Sequence, residues 1–179
     1  MTSSLSDIVI PSLSARLGTA LSLLTKAQAH AEAKNITPSA LIEARLRPDM
    51  FALAGQFEAI GDTTRRGLER LTGQEPSSVG SPAPTFEALG AYLKDTLHRV
   101  EHTDKDALDA HAAQSLIVGF GSTTKMEFTG HSYAYAFLLP NTMFHVSMAY
   151  AILRERGLEL GKLDLLGAFV QQFDIKPIA

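Results

Sequence analysis

The chain has no cysteine among its 179 residues. This excludes disulfides, thiolate nucleophiles and zinc or iron–sulfur centres built on cysteine. It also has no surplus of basic charge: 16 Lys and Arg stand against 19 Asp and Glu, for a formal net charge of -3. The basic residues are scattered rather than gathered on one stripe, so the electrostatic footprint of a nucleic-acid binder is missing. The amino-terminal "MTSSLSDIVIPSL" lacks the basic start and unbroken apolar stretch of a signal peptide, and the expectation is a cytoplasmic protein. No G-x-S-x-G elbow marks a serine nucleophile. "GFGSTTK" lacks the full spacing of a phosphate loop and reads as a hairpin turn. Nor do the carboxylates form the inward Glu-x-x-His pairs of a di-iron bundle.

What is present describes a folded globular chain. Hydrophobic residues at 45% and charged residues at 20% argue against disorder, and the length suits one domain spanning residues 1–179. One stretch, Phe128 to Leu153, carries no charged residue and is long enough to cross a bilayer. It also holds Gly130, His131, Pro140, Asn141 and His145, which are costly in lipid without partners. It therefore reads as a helix buried in protein on most sides, with part of its surface covered by a second subunit. A homodimer is expected, with neither a membrane nor nucleic acid as partner.

Leu13, Leu17, Leu21, Leu24, Ala27 and Ala31 recur at the helical period and place a first helix from about Pro11 to Ala33, with Pro11 in its first turn. Thr37 before Pro38 marks a short helix that ends ahead of Pro48. A second long helix is expected from Asp49 to Leu71, with Leu53, Phe57, Ile60, Thr64, Leu68 and Leu71 buried and Gly73 closing it. The Pro-, Gly- and Ser-rich "GQEPSSVGSPAPT" reads as a crossover loop, because neither side can bury its apolar stripe alone. Thr85 caps a third helix to Glu101, burying Phe86, Leu89, Leu93, Leu97 and Val100, and a short turn of helix follows near Asp104. "QSLIVGFGSTTKMEFTG" predicts a small hairpin. The fourth helix runs from His131 to Arg156, bent at Pro140.

In such bundles sites are built from polar side chains pointing inward from facing helices. On the fourth helix Ala134, Leu138, Asn141, His145, Met148 and Ile152 form one stripe, and Leu139, Met143, Val146, Tyr150 and Leu153 form another. Asn141 and His145 stand one turn apart, a spacing that can chelate an ion or simply satisfy two buried polar groups. Gln56, between Leu53 and Ile60, can face His145 across the bundle. These three residues, with Asp49 and His30 near helix ends, are the candidate ligand-binding set. For Asp49 and His30, capping and surface contacts are the plainer account. His131 is about 21 Å of helix away from His145 and cannot share an ion with it. His98, His102 and His111 surround a polar turn and read as solvated.

"KAQAHAEAKNI", "EARLRPDMFALAGQ", "LPNTMFHVSMAYAILRERG" and "LGKLDLLG", in this order and at this spacing, resemble an uncharacterised domain-of-unknown-function branch of the DinB/YfiT-like superfamily. The resemblance covers nearly the whole chain. It implies an all-α, DinB/YfiT-like four-helix bundle with a long crossover between helices two and three, commonly dimeric; the hairpin before helix four is added by the sequence itself. Members of the wider superfamily are regarded as metalloenzymes, some acting with low-molecular-weight thiols. Their metal is held by three histidines, one on the second helix and two at i and i+4 on the last. The matching positions here are Gln56, Asn141 and His145. Only His145 is an ordinary transition-metal ligand, so the divalent transition metal that the resemblance implies is not fixed by these residues. Three expectations result: a small-molecule pocket with a degenerate metal site; a metal-dependent hydrolase or thiol transferase using His145; or a non-enzymatic dimeric interaction protein.

Overall fold

The computed structural model describes residues 4–120 and 123–170. Gly121 and Ser122, the tip of the expected hairpin turn, lie outside the described residues, as do residues 171–179. Within them the order is α1 (Leu5–Lys34), α2 (Pro38–Ile42), α3 (Leu53–Leu71), α4 (Phe86–Glu101), α5 (Lys105–Ala110), β1 (Ser115–Phe120), β2 (Thr124–Thr129), α6 (Gly130–Tyr133), a π turn (Ala134–Leu138), α7 (Leu139–Glu155) and α8 (Lys162–Val170).

The protein is mostly helical, but the β1–β2 ribbon makes "all-α" too strong. The two strands pair antiparallel from Ser115 opposite Thr129 to Phe120 opposite Thr124. α1 packs against α4 and α7, and α3 packs against the same two helices. Their inward apolar side chains join one buried cluster that includes Leu13, Leu17, Phe57, Ile60, Leu89, Leu93, Val146 and Leu153. Glycine helps α3 approach its neighbours: a Cβ on Gly61 would stand 2.2 Å from the Tyr92 ring, and one on Gly67 2.3 Å from Leu138.

Several boundaries differ from the sequence expectation for physical reasons. α1 begins at Leu5, placing Pro11 inside the helix instead of in its first turn. Ser4 and Asp7 form a capping box there, and the Asp109 carboxylate accepts from both Ser6 N and Ser6 Oγ at 2.8 Å. This long-range anchor at the start of α1 offsets the backbone bond that a proline cannot make. α3 starts at Leu53 rather than Asp49, because Arg47 to Met50 form a turn. Its end is as expected: Gly73 takes φ 74°, with Gln74 N bonded to Glu69 O and Gly73 N to Arg70 O. Glu69 also holds the crossover loop by accepting from Ser77 N at 2.8 Å and from the Ser77 hydroxyl.

Pro140 lacks an N–H, and the helix before it widens into the π turn, with Leu139 N donating to Ala134 O five residues back. α8 is an element the sequence reading omitted. Asp164 caps it through Gly161 N at 2.6 Å and pairs with Lys26 of α1. By length and composition alone, two helical stretches could cross a membrane, Leu5–Lys34 and Gly130–Glu155. Both pack within the helical assembly.

Candidate functional site

The seam between α3 and α7 is where the candidate residues fall. The buried residues of α7 are Thr142, Val146, Ala149, Ile152 and Leu153, of which Val146 and Leu153 belong to one stripe read from the sequence and Ile152 to the other. Asn141 and His145 therefore sit at the edge of the packed face, each half-buried. Edge positions keep polar atoms within reach of both protein and solvent, which suits ligand contact better than a sealed core.

Gln56 is 2% exposed in the first turns of α3. Its Nε2 donates to Phe51 O at 3.3 Å, which fixes which end of the amide is oxygen. The oxygen, Oε1, lies 2.9 Å from His145 Nδ1. A carboxamide oxygen only accepts, so His145 Nδ1 carries the proton and Nε2 keeps its lone pair. Burial lowers the His145 pKa from its ordinary 6.5, so the ring is neutral at neutral pH. The Phe51 ring stacks near the imidazole at a centroid distance of 6.2 Å, and the Phe144 ring meets it edge-on at 5.2 Å. Both phenyl rings are largely open to solvent, Phe51 at 60% and Phe144 at 51%. The outcome is a neutral imidazole of fixed tautomer between two exposed aromatic walls.

Asn141 takes a different partner. Its Nδ2 donates to Thr63 Oγ1 at 3.2 Å, and it borders a hollow of about 280 Å³ with Arg66, Arg70, Tyr133 and Phe137. The structure thus brings Gln56 and His145 together and turns Asn141 toward Thr63. His30 lines a small hollow with Leu158, Glu159 and Leu160, away from the α3–α7 seam. Asp49 is exposed in the turn ahead of α3.

The donor set at this seam does not fit a resident metal. Gln56 spends on His145 the amide oxygen through which it would ligate an ion, and Asn141 is turned toward Thr63. Neutral amides are weak ligands for zinc or nickel in any case, which leaves one imidazole nitrogen. Among the described residues no group of three or more His, Asp or Glu side chains is placed to hold an ion.

Sequence reasoning missed Phe51, Phe144 and Thr63. Phe51 precedes the helix, so no periodicity reports it, and Phe144 falls off both apolar stripes of α7. It also read His98 and His102 as separate solvated residues. They are exposed, but their Nδ1 atoms are 2.9 Å apart, and both line a cleft of about 440 Å³. Their i, i+4 spacing was the available signal.

The sequence profile described as a domain of unknown function, DUF1993, matches residues 5–166. A crystal structure of a DinB family member protein from Shewanella denitrificans is similar over 91% of this chain and 92% of that one, with 31% sequence identity and a TM-score of 0.82. No match was found among curated proteins.

Proposed function

Because the chain belongs to the DUF1993 family of domains of unknown function and shares the DinB-like fold, we propose that it keeps the helix-seam site of that bundle as a small-molecule pocket without a tightly held metal. The observation that carries this reading is the His145 Nδ1 to Gln56 Oε1 bond of 2.9 Å, with the amide anchored in turn on Phe51 O. It leaves Nε2 as an acceptor of fixed orientation. The ligand that suits it has a hydroxyl, amide or ammonium donor for Nε2 and an apolar or aromatic body for Phe51 and Phe144.

The proposal extends to assembly. The stretch Phe128–Leu153, from the end of β2 through α6 and the π turn into α7, is uncharged and presents exposed Tyr135 and Phe144, the kind of apolar surface that a second copy covers. Arrangement as a four-helix bundle with α1, α3, α4 and α7 as its long members, and residence in the cytoplasm, belong to the same reading.

A ligand-observed NMR and thermal-shift screen tests it. A ligand at 100 times its dissociation constant adds about 2.7 kcal/mol of stability, a shift of several degrees for a chain of this size. The expected hits lose that shift in His145→Ala, checked for fold by circular dichroism, and lose most of it in Gln56→Leu. Hits bound equally by wild type and His145→Ala would place the ligand elsewhere and remove the proposal. A metal-dependent hydrolase or thiol transferase at His145 is the second reading, supported by the DinB family likeness and by the free Nε2. It requires an ion retained in tag-free protein that is lost in His145→Ala.

A further inference from the structure

We propose that His98 and His102 form a second, independent site: a chelate for a divalent transition-metal ion on the last turn of α4, opening into the cleft between α3 and the α4–α5 corner. The two side chains project one helical turn apart, and their Nδ1 atoms approach to 2.9 Å with ring centroids at 4.0 Å and the planes tilted by 50°. That separation can be tested against coordination geometry. With metal–imidazole bonds of about 2.0–2.1 Å, two nitrogens 2.9 Å apart subtend about 90° at the ion, whereas a tetrahedral ion would need about 3.3–3.4 Å. A right-angled bite is the adjacent pair of a square-planar or octahedral ion, which favours copper(II) and nickel(II) over zinc.

The surroundings suit a cation with exchangeable positions. His98 lies in the final turn of α4 and His102 is its C-cap, so the pair stands at the negative end of the helix dipole, which favours a cation. The nearby charges are already engaged or set apart: Arg99 pairs with Asp95 at 2.8 Å, Asp104 caps α5 through Ala107 N, and Glu69 accepts from Ser77. Across the cleft lies Arg65, 7% exposed, whose guanidinium sits over the Tyr92 ring while its Nε has no hydrogen-bond partner among the described residues. Two protein ligands leave the remaining coordination positions open toward a cleft of about 440 Å³, bordered by this buried guanidinium. The ion therefore carries water or a small anion there, as exchangeable sites do. His102 Nδ1 also lies 2.8 Å from His98 O and donates to it in the free protein, and ion binding takes the tautomer whose proton is on Nε2.

The test uses full-length, tag-free protein and the metals alone. Titration with nickel chloride is expected to show one ion per chain. His98→Ala and His102→Ala should each raise the dissociation constant at least about tenfold, or 1.4 kcal/mol. His145→Ala should leave it unchanged, which separates this site from the α3–α7 seam. Both histidines are exposed, so circular dichroism should show the variants folded. The copper(II) form should give an electron paramagnetic resonance spectrum with couplings from two imidazole nitrogens. Nickel binding that survives both substitutions, copper coupled to a single nitrogen or none, or no stoichiometric binding would each overturn the proposal.

Discussion

Replacing Gln56 by leucine tests the α3–α7 seam with little change in volume. Gln56 is 2% exposed, and its side chain makes two bonds, accepting from His145 Nδ1 at 2.9 Å and donating to Phe51 O at 3.3 Å. A typical intramolecular hydrogen bond contributes about 0.5–1.5 kcal/mol net, and the longer of these two belongs at the low end. His145 is half-buried, so water can reach part of the orphaned Nδ1–H and the penalty for an unsatisfied donor is only partly incurred. The sum is about 1–2 kcal/mol. For a chain of 150–250 residues, 1 kcal/mol moves the midpoint by about 2–4 °C, so Gln56→Leu should lower Tm by about 2–8 °C. In a cycle with His145→Ala, the coupling should exceed about 0.5 kcal/mol, as residues in direct contact do. Scanning calorimetry at pH 7.5 reads both quantities. A Tm within about 1 °C of wild type, with no coupling, would mean that the pair does not hold the imidazole, and the pocket argument would lose its basis.

Three further outcomes follow from the same geometry. Gln56→Glu places an ionised carboxylate beside His145 Nδ1, which favours the imidazolium, so the His145 pKa should rise above its wild-type value in an NMR titration. The pH dependence of stability has a definite sign. The folded-state pKa of His145 is lowered below 6.5 by burial, so above that pH both states are neutral at this group and it adds no slope. As the pH falls, the unfolded chain takes the proton first and stability declines by at most about 1.4 kcal/mol per pH unit, until the folded-state pKa is passed. His145→Phe removes that component, and its urea-unfolding stability should fall less than that of wild type on acidification below pH 6.5. Gly130→Ala should destabilise by about 1–3 kcal/mol, since overpacked sites cost that much and rigid backbone cannot yield. Its Cβ would stand 2.5 Å from His111 O and 3.0 Å from Ala112 Cα, and thermal unfolding reads the loss.

The helical architecture was legible because the buried stripes of α1, α3 and α4 keep the helical period and end on strong signals such as Thr85 and Gly73. The start of α1 was not, because it depends on Asp109, more than 100 positions away, reaching back to Ser6. α7 shows why periodicity alone misplaces a site. It is apolar nearly all round, so its stripes are degenerate, and only packing against α1 and α3 selects Thr142, Val146 and Ala149 as the sealed line. The pairing of Gln56 with His145 could be anticipated from two polar residues in facing stripes. The separate bond of Asn141 to Thr63 could not, since both residues sit on the same seam and only the helix register decides which atoms meet. Phe51 carries no periodic signal at all, although its carbonyl fixes the amide on which the imidazole depends.

His145 is held neutral, protonated on Nδ1, with Nε2 free to receive a ligand. Long-range proton–nitrogen correlation on protein labelled with ¹⁵N in histidine, followed across pH, measures this directly. The expected result is a protonated Nδ1, an Nε2 with the shift of a bare ring nitrogen at neutral pH, and a pKa below 6.5. An Nε2-protonated ring, or a pKa at or above 6.5, would contradict it.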